Sequence, residues 1–221
     1  MSGMFAPLSR RSFLYAALGS AACAGIGGLT LRSATAADRP GGISSTRLDD
    51  RLTVLAGGGG NVVALAYPEG LLLVDGGSQE RSAELLRTLA AEFPGRQIRT
   101  LLNTHWHWDH TGSNEALAAN GATIVAHENT KLWLGTRVIS QWEGRTYPPR
   151  RASALPRRTF FYDSERLDVG GDAVEYGHLV QAHTDGDITV TFAEADIVHA
   201  GGPDYGISHL IQHLQVFRAS R

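Results

Sequence analysis

Between Asn103 and Gly112 the chain reads NTHWHWDHTG, which places three histidines and an aspartate in the six positions from His105 to His110. The segment follows directly on the apolar run QIRTLL. Its ligand-type side chains therefore sit where a strand gives way to a loop, the usual place for a site carried on a rigid scaffold. In an extended segment His105, His107 and Asp109 are two apart and share a side, while His110 is free to turn the other way as the chain enters a helix. One short segment can thus address two neighbouring metal ions. A lone histidine is ordinarily structural or superficial, but four ligand-type residues in six positions point to a metal. The fold must then deliver the remaining ligands to the end of this strand.

The first forty residues limit which ligands are available. PLSRRSFLYAALGSAACAGIGGLTLRSATAADRP opens with Arg10 and Arg11, continues with an apolar, Gly/Ala-rich run from Phe13 to Leu31, and closes on Ala34-Thr35-Ala36. That order is a charged segment, an apolar segment and an A-x-A cleavage site, and residues 1–37 are expected to be removed as a signal peptide. A membrane anchor is the competing reading. The run has about the 20 residues a span needs, but its many glycines and alanines and its small-residue exit favour cleavage. Cys23, the only cysteine, lies inside this signal. A lipoprotein role for it is disfavoured because Ser20 stands three residues before it. Without it the mature chain has no thiolate, so metal ligands must be nitrogen or oxygen, which suits zinc first and iron or manganese next.

Removing the signal leaves 17 basic against 22 acidic residues, a balance of −5 that argues against a nucleic-acid surface. With 43% hydrophobic and 19% charged residues, the remainder is long enough to bury one core.

Residues 38–47 read as a linker and 48–221 as one domain. Three β-rich runs, Arg51 to Leu55, Val62 to Tyr67 and Leu71 to Val74, are separated by the turn signals AGGGGN and PEG and suggest a meander. SQERSAELLRTLAAEF spaces Ala83, Leu86, Leu89 and Ala90 as a helix that ends at Pro94-Gly95. After the histidine segment the pattern alternates: a helix over Ser113 to Asn120, a strand over Thr123 to Ala126 and a helix over Asn129 to Leu134. EGRTYPPRRASALPRRT then reads as an exposed loop beside the site, with arginines 150, 151, 157 and 158 in solvent. Strands are expected at Thr159 to Tyr162, Ala173 to Tyr176, His178 to Ala182, Ile188 to Phe192 and Ile197 to Ala200. ISHLIQHLQVF reads as an amphipathic helix with Ile207, Leu210, Ile211, Leu214 and Phe217 on its apolar face.

A catalytic metal ordinarily takes three protein ligands and keeps one position open. His105 and His107 supply two. The best third donor is His183 in QAHTDGDITVTF, where a strand ends in a polar turn. His127, His178 and His199 compete, but each lies in or beside an apolar strand pattern that suits a structural histidine.

These residues carry a resemblance. NTHWHWDHTG resembles the H-x-H-x-D-H motif of the metallo-β-lactamase superfamily, HTDGD resembles its downstream histidine motif, and LLLVDGG at 71–77 resembles its strand ending in Asp and Gly. The likeness runs from about Leu48 to Gly201. It implies an α/β fold, an αββα sandwich with the metal cleft between the edges of two sheets. His105, His107 and His183 would bind the first metal, and Asp109 and His110 the second. Asp109 would also orient the attacking water, a metal-bound hydroxide. Asp75 would support a ligand histidine by hydrogen bonding, or serve only as a turn aspartate. AGGGGN resembles a flexible loop beside the cleft. The implied activity is hydrolysis of an ester, amide, lactam or related bond in a small-molecule substrate, with zinc as cofactor. Ser9-Arg10-Arg11-Ser12-Phe13-Leu14 further resembles a twin-arginine export signal, implying the twin-arginine export machinery as partner, a periplasmic or secreted product, and no membrane association after cleavage.

The chain also departs from the family. Gly202 stands where relatives carry a bridging aspartate, and no Gly-His-Gly follows, so the C-terminal half is expected to be incomplete. Asp204 with His209 or His213 could replace the missing ligands, the two histidines otherwise lying on the solvent face of their helix. One metal could suffice, or the chain could be interrupted after Gly201, leaving a catalytically weak or inactive metal- or ligand-binding protein. Trp106 and Trp108 flank the ligands and either line a substrate wall or pack on the neighbouring helix.

Overall fold

Val62–Tyr67 and Gly70–Val74 are buried at every position, so the sheet they form must be covered on both faces. The structure, a computed structural model, describes residues 41–141, 144–162, 164–180 and 182–201, and the backbone of 216–218. One sheet contains β1 (Ser44–Arg47), β2 (Leu52–Ala56), β3 (Val62–Tyr67), β4 (Gly70–Val74), β5 (Ile98–Leu102), β6 (Thr123–His127) and β9 (Arg158–Phe160), in the order β1-β2-β3-β4-β5-β6-β9. Its first four strands are an antiparallel meander. From β4 onward neighbouring strands run parallel, which requires crossover connections. Those connections carry α1 (Ser82–Glu92), the short turns of helix α2 (Trp108–Thr111) and α3 (Asn114–Ala119), and α4 (Glu128–Leu134).

A second sheet contains β10 (Ser164–Val169), β11 (Asp172–His178), β12 (Ile188–Phe192), β13 (Ile197–Ala200) and β14 (Val216–Arg218), all antiparallel. A small hairpin, β7 (Val138–Ser140) with β8 (Arg145–Tyr147), stands apart from both.

Alternation along β3 and β4 sorts their side chains. Val63, Leu65, Leu72 and Val74 face the second sheet and pack with Val174, Tyr176, Val190 and Phe192. Val62, Ala64, Leu71 and Leu73 face the helices and pack with Leu85, Leu89 and Leu117. Each fully buried Leu or Val contributes about 1.5–3 kcal/mol of transfer free energy. A one-residue slip of either strand would exchange its two faces, so this double burial fixes the register.

Several expectations need correction. Residues 44–47, expected within the linker, form an edge strand on β2, because their backbone completes the ladder although all four side chains are exposed. Ser164–Val169 was not expected as a strand, since its alternation of half-buried Glu165 and Leu167 with exposed charges carries little apolar signal. The two strands expected at Ala173 to Tyr176 and His178 to Ala182 are one, Asp172–His178, because Gly177 stays in the ladder opposite Thr189. Leu179 and Val180 lie beyond it and are exposed. The expected loop from Glu143 onward includes the β8 strand. Val216–Arg218, expected to end a helix, pairs with β13 instead. The rest of that helix, with Asp204, His209 and His213, lies outside the described residues, as does the signal peptide.

Candidate metal centre

Asp75, Asn103 and Glu128 immediately follow the parallel strands β4, β5 and β6, and the carboxyl ends of such strands are where α/β sheets assemble sites. The loop after β5 is fixed from both sides. Asn103 and Asn114 exchange amide hydrogen bonds at 2.9 and 3.1 Å, and Ile188 of the second sheet donates its N–H to the Thr104 carbonyl at 2.9 Å. Close approach finishes the job: a Cβ on Gly112 would stand 2.2 Å from the Gln79 nitrogen, and one on Gly60 would stand 2.8 Å from the His110 ring. Within AGGGGN, Gly59 and Gly60 are therefore packed against the site closely enough to need glycine.

His105, His107 and His183 come together. One ring nitrogen from each lies within 4.8 Å of the others, and the ring centroids are 4.4–5.0 Å apart. His105 is 1% exposed. Its Nδ1 lies 3.0 Å from the Thr104 hydroxyl, while its Nε2 is buried without a hydrogen-bond partner. Burial, reinforced by the charge of His110, pushes the His105 pKa well below the imidazole range, so the ring stays neutral with a lone pair to offer.

His183 is held by the rest of its own motif. Asp187 accepts from the His183 N–H at 2.7 Å and the Thr184 hydroxyl at 2.5 Å. Helix α4 clamps the same loop: Asn129 donates to the Asp185 carbonyl at 2.7 Å, Trp133 Nε1–H donates to the Asp185 carboxylate at 2.6 Å, and the Thr130 hydroxyl donates to the Gly186 carbonyl at 3.1 Å. Asp187 was missed as a positioning residue by the sequence reading. Its place in HTDGD, four residues after the histidine, was the available signal.

Asp75 is completely buried. Its carboxylate accepts from the Thr104 N–H at 2.8 Å and hydroxyl at 2.7 Å. It also meets His110 Nδ1 at 2.7 Å and faces His199 Nε2 at 3.5 Å. Burial would raise its pKa, but the charge and hydrogen bond of His110, with His199 behind them, hold it well below the usual carboxylate range. For His110 burial would lower the pKa, and Asp75 outweighs it, so the ring is raised above its ordinary value. Asp75 adopts φ 62°, a left-handed backbone that only Asn and Asp tolerate well among residues with a Cβ. The expectation that Asp75 supports a ligand-type histidine agrees with this geometry. With Nδ1 of His110 engaged, Nε2 faces Asp109, whose Oδ2 is 3.6 Å away and whose side chain is 58% exposed.

The competing histidines separate. His127 is structural: Nε2 meets the Phe161 carbonyl at 3.0 Å, Nδ1 accepts from the Asn129 N–H, and the ring stacks on His178. His178 meets the Asp185 carbonyl. His199, expected to be a satisfied core residue, is fully buried with neither ring nitrogen hydrogen-bonded. Of Trp106 and Trp108, Trp106 packs on Trp133 of α4 and on His107, and both indoles are half-buried and line an open cleft.

Three convergent imidazoles, a neutral buried ring and an orphaned Nε2 are what a divalent cation of zinc's type requires, and the residues present fit one. With fold and geometry in hand, the chain is assigned to the metallo-β-lactamase superfamily, whose family model matches residues 55–201. It is 30% identical over 139 residues to the α subunit of 2,4-dinitroanisole O-demethylase from a Nocardioides species, covering 62% of this chain and 38% of that one. It is 56% identical over 43 residues to hydroxyacylglutathione hydrolase from a Polaromonas species, covering 19% and 16%. This chain thus spans well under half the length of either curated relative. Among solved structures, a motif mutant of a metallo-β-lactamase from Cronobacter sakazakii superposes with a TM-score of 0.60 at 20% identity, covering 72% of this chain and 64% of that one, a likeness of fold.

Proposed function

We propose that this protein is an exported, zinc-dependent hydrolase of small molecules. The observation that carries the reading is the convergence of His105, His107 and His183, with the buried Nε2 of His105 lacking any protein partner. These three would hold one ion, and Asp109 with His110 a second. Zinc bound there would supply Lewis acidity, lowering the pKa of a water to about 7 and polarising a carbonyl or phosphoryl oxygen. The protein's own contribution is positioning. Asp75 fixes His110 through Nδ1 and so aims its Nε2 toward Asp109. Thr104, bonded to Asp75 and to His105 Nδ1, carries the same constraint to the first imidazole. Asp109, exposed at the mouth, is placed to accept a proton from water and orient it. One relative is named for hydrolysis, which supports cleavage of an ester or related bond, while the other is named for O-demethylation of an anisole, cleavage of an ether.

Mature protein reconstituted with zinc is expected to bind one or two equivalents and to hydrolyse at least one member of a panel of chromogenic esters, lactams and phosphodiesters. Binding of one zinc or none without turnover of any member removes the hydrolase and supports the alternative, a metal- or ligand-binding protein without catalysis. Export is proposed through Arg10 and Arg11. Replacing both with Lys is expected to retain the precursor inside the cell, and undiminished secretion of that variant rules out the twin-arginine route.

A further inference from the structure

Next to the histidines is a second constellation that metal chemistry does not use. The Arg150 guanidinium sits 3.5 Å from the centroid of the Trp108 ring, and that of Arg145 lies 5.1 Å from Tyr147 and 5.7 Å from Trp108. The other three arginines of the same stretch are exposed, as the sequence suggested, but Arg150 is half-buried. Among the described residues no carboxylate lies within ion-pair distance of it. Glu115 is engaged by Arg151 at 3.4 Å, and Glu80 and Glu115 act on Arg150 only from farther away. Beneath it the Trp108 Nε1–H is buried with no acceptor. That N–H is closed off from solvent, and so from a ligand, whereas the Arg150 guanidinium is a half-buried cation with no carboxylate partner among the described residues and one face covered by the indole.

The geometry also says what kind of ligand. A guanidinium stacked on an indole keeps its N–H edges free in its own plane, the presentation that binds a carboxylate through two parallel hydrogen bonds. Trp106, Trp133, Tyr147 and Pro148 line the remainder of a shallow, open cleft. Trp106 makes edge contacts with both Tyr147 and His107, at 5.7 and 4.4 Å between centroids. The aromatic wall therefore leads from Arg150 to the metal centre.

We propose that this cleft recognises the substrate and takes a flat, carboxylate-bearing compound, its carboxylate on Arg150 and its planar body on the aromatic wall, with the scissile bond toward His107 and Asp109. The proposal rests on the hydrolase reading for its link to catalysis, but the binding itself needs no metal.

The test uses metal-stripped, full-length protein and its tryptophan fluorescence. Benzoate is expected to quench saturably, whereas benzamide and inorganic phosphate bind at least about tenfold more weakly. Arg150→Gln should weaken benzoate at least about tenfold, the loss of a charge-assisted pair, with its melting temperature near that of the parent. Arg150→Lys, which keeps the charge and loses the planar fork, should weaken it several-fold and serves if the Gln variant does not fold. Equal binding of benzamide or phosphate, or benzoate binding indifferent to both substitutions, overturns the proposal. The two readings fail separately. Benzoate selectivity in a protein that hydrolyses nothing removes the hydrolase and keeps the cleft. Turnover of neutral esters without benzoate binding removes the cleft and keeps the hydrolase.

Discussion

Asp75→Asn is expected to lower the unfolding free energy at pH 7 by about 3–5 kcal/mol, the cost of breaking a buried charge pair from one side. The substitution preserves volume and tolerates the left-handed backbone of Asp75. What it removes is the anion that accepts from Thr104 twice and from His110, so it isolates electrostatics from packing. The pH dependence gives a second signature. The native pKa of Asp75 is depressed, so its stabilisation is present above the ordinary carboxylate value of 3.8 and is lost progressively as pH falls below it. Urea denaturation of the parent should therefore weaken on acidification from pH 5 to pH 3 more steeply than that of the variant. Parallel curves would mean that the carboxylate is not the anion the structure makes it. Zinc affinity should fall by about 10–100-fold in the same variant, the usual consequence of losing a group that orients a ligand.

His183→Ala should abolish zinc-dependent stabilisation and reduce turnover by at least about a thousand-fold, while moving the melting temperature of metal-stripped protein by only a few degrees. His183 is half-buried and its loop is held by Asp187 and α4 through neighbouring atoms, so the scaffold survives loss of the ring. In the parent, zinc at a hundred times its dissociation constant should add about 2.7 kcal/mol, read directly as a rise in melting temperature. His178→Ala is the matched control, since that ring meets a carbonyl and His127. If the control loses zinc stabilisation and His183→Ala keeps it, the third imidazole has been wrongly chosen.

What could be read from the sequence was whatever a short range of residues decides. The meander, the helix over Ser82–Glu92 and the strands at Val62–Tyr67 and Ile188–Phe192 announce themselves by apolar pattern and turn residues, and the H-x-H-x-D-H spacing brings its own geometry. Elements that owe their state to a neighbour stayed hidden. Ser44–Arg47 is a strand because β2 offers it a free edge, and Ser164–Val169 because β11 does. At the site, Asp187 and Thr104 act through hydrogen bonds to histidines, a role no residue type advertises. Arg150 looked like one of four solvated arginines, and only the meeting of the 145–150 segment with Trp108 sets it apart.

His105 and His107 follow the carboxyl end of β5 in one sheet, and His183 lies in the loop that joins β11 to β12 of the other. A cation shared by them would therefore be a clasp across the joint between two layers, closing a long stretch of chain in a domain without disulfides. Its grip would measure how well the layers are docked. Slippage at the joint by an ångström, from a mutation in the apolar filling between Val63 and Phe192 for example, would register first as a loosened ion rather than as lost secondary structure. Such a clasp would need both layers in place before it could close, so a captured metal would seal a fold already completed.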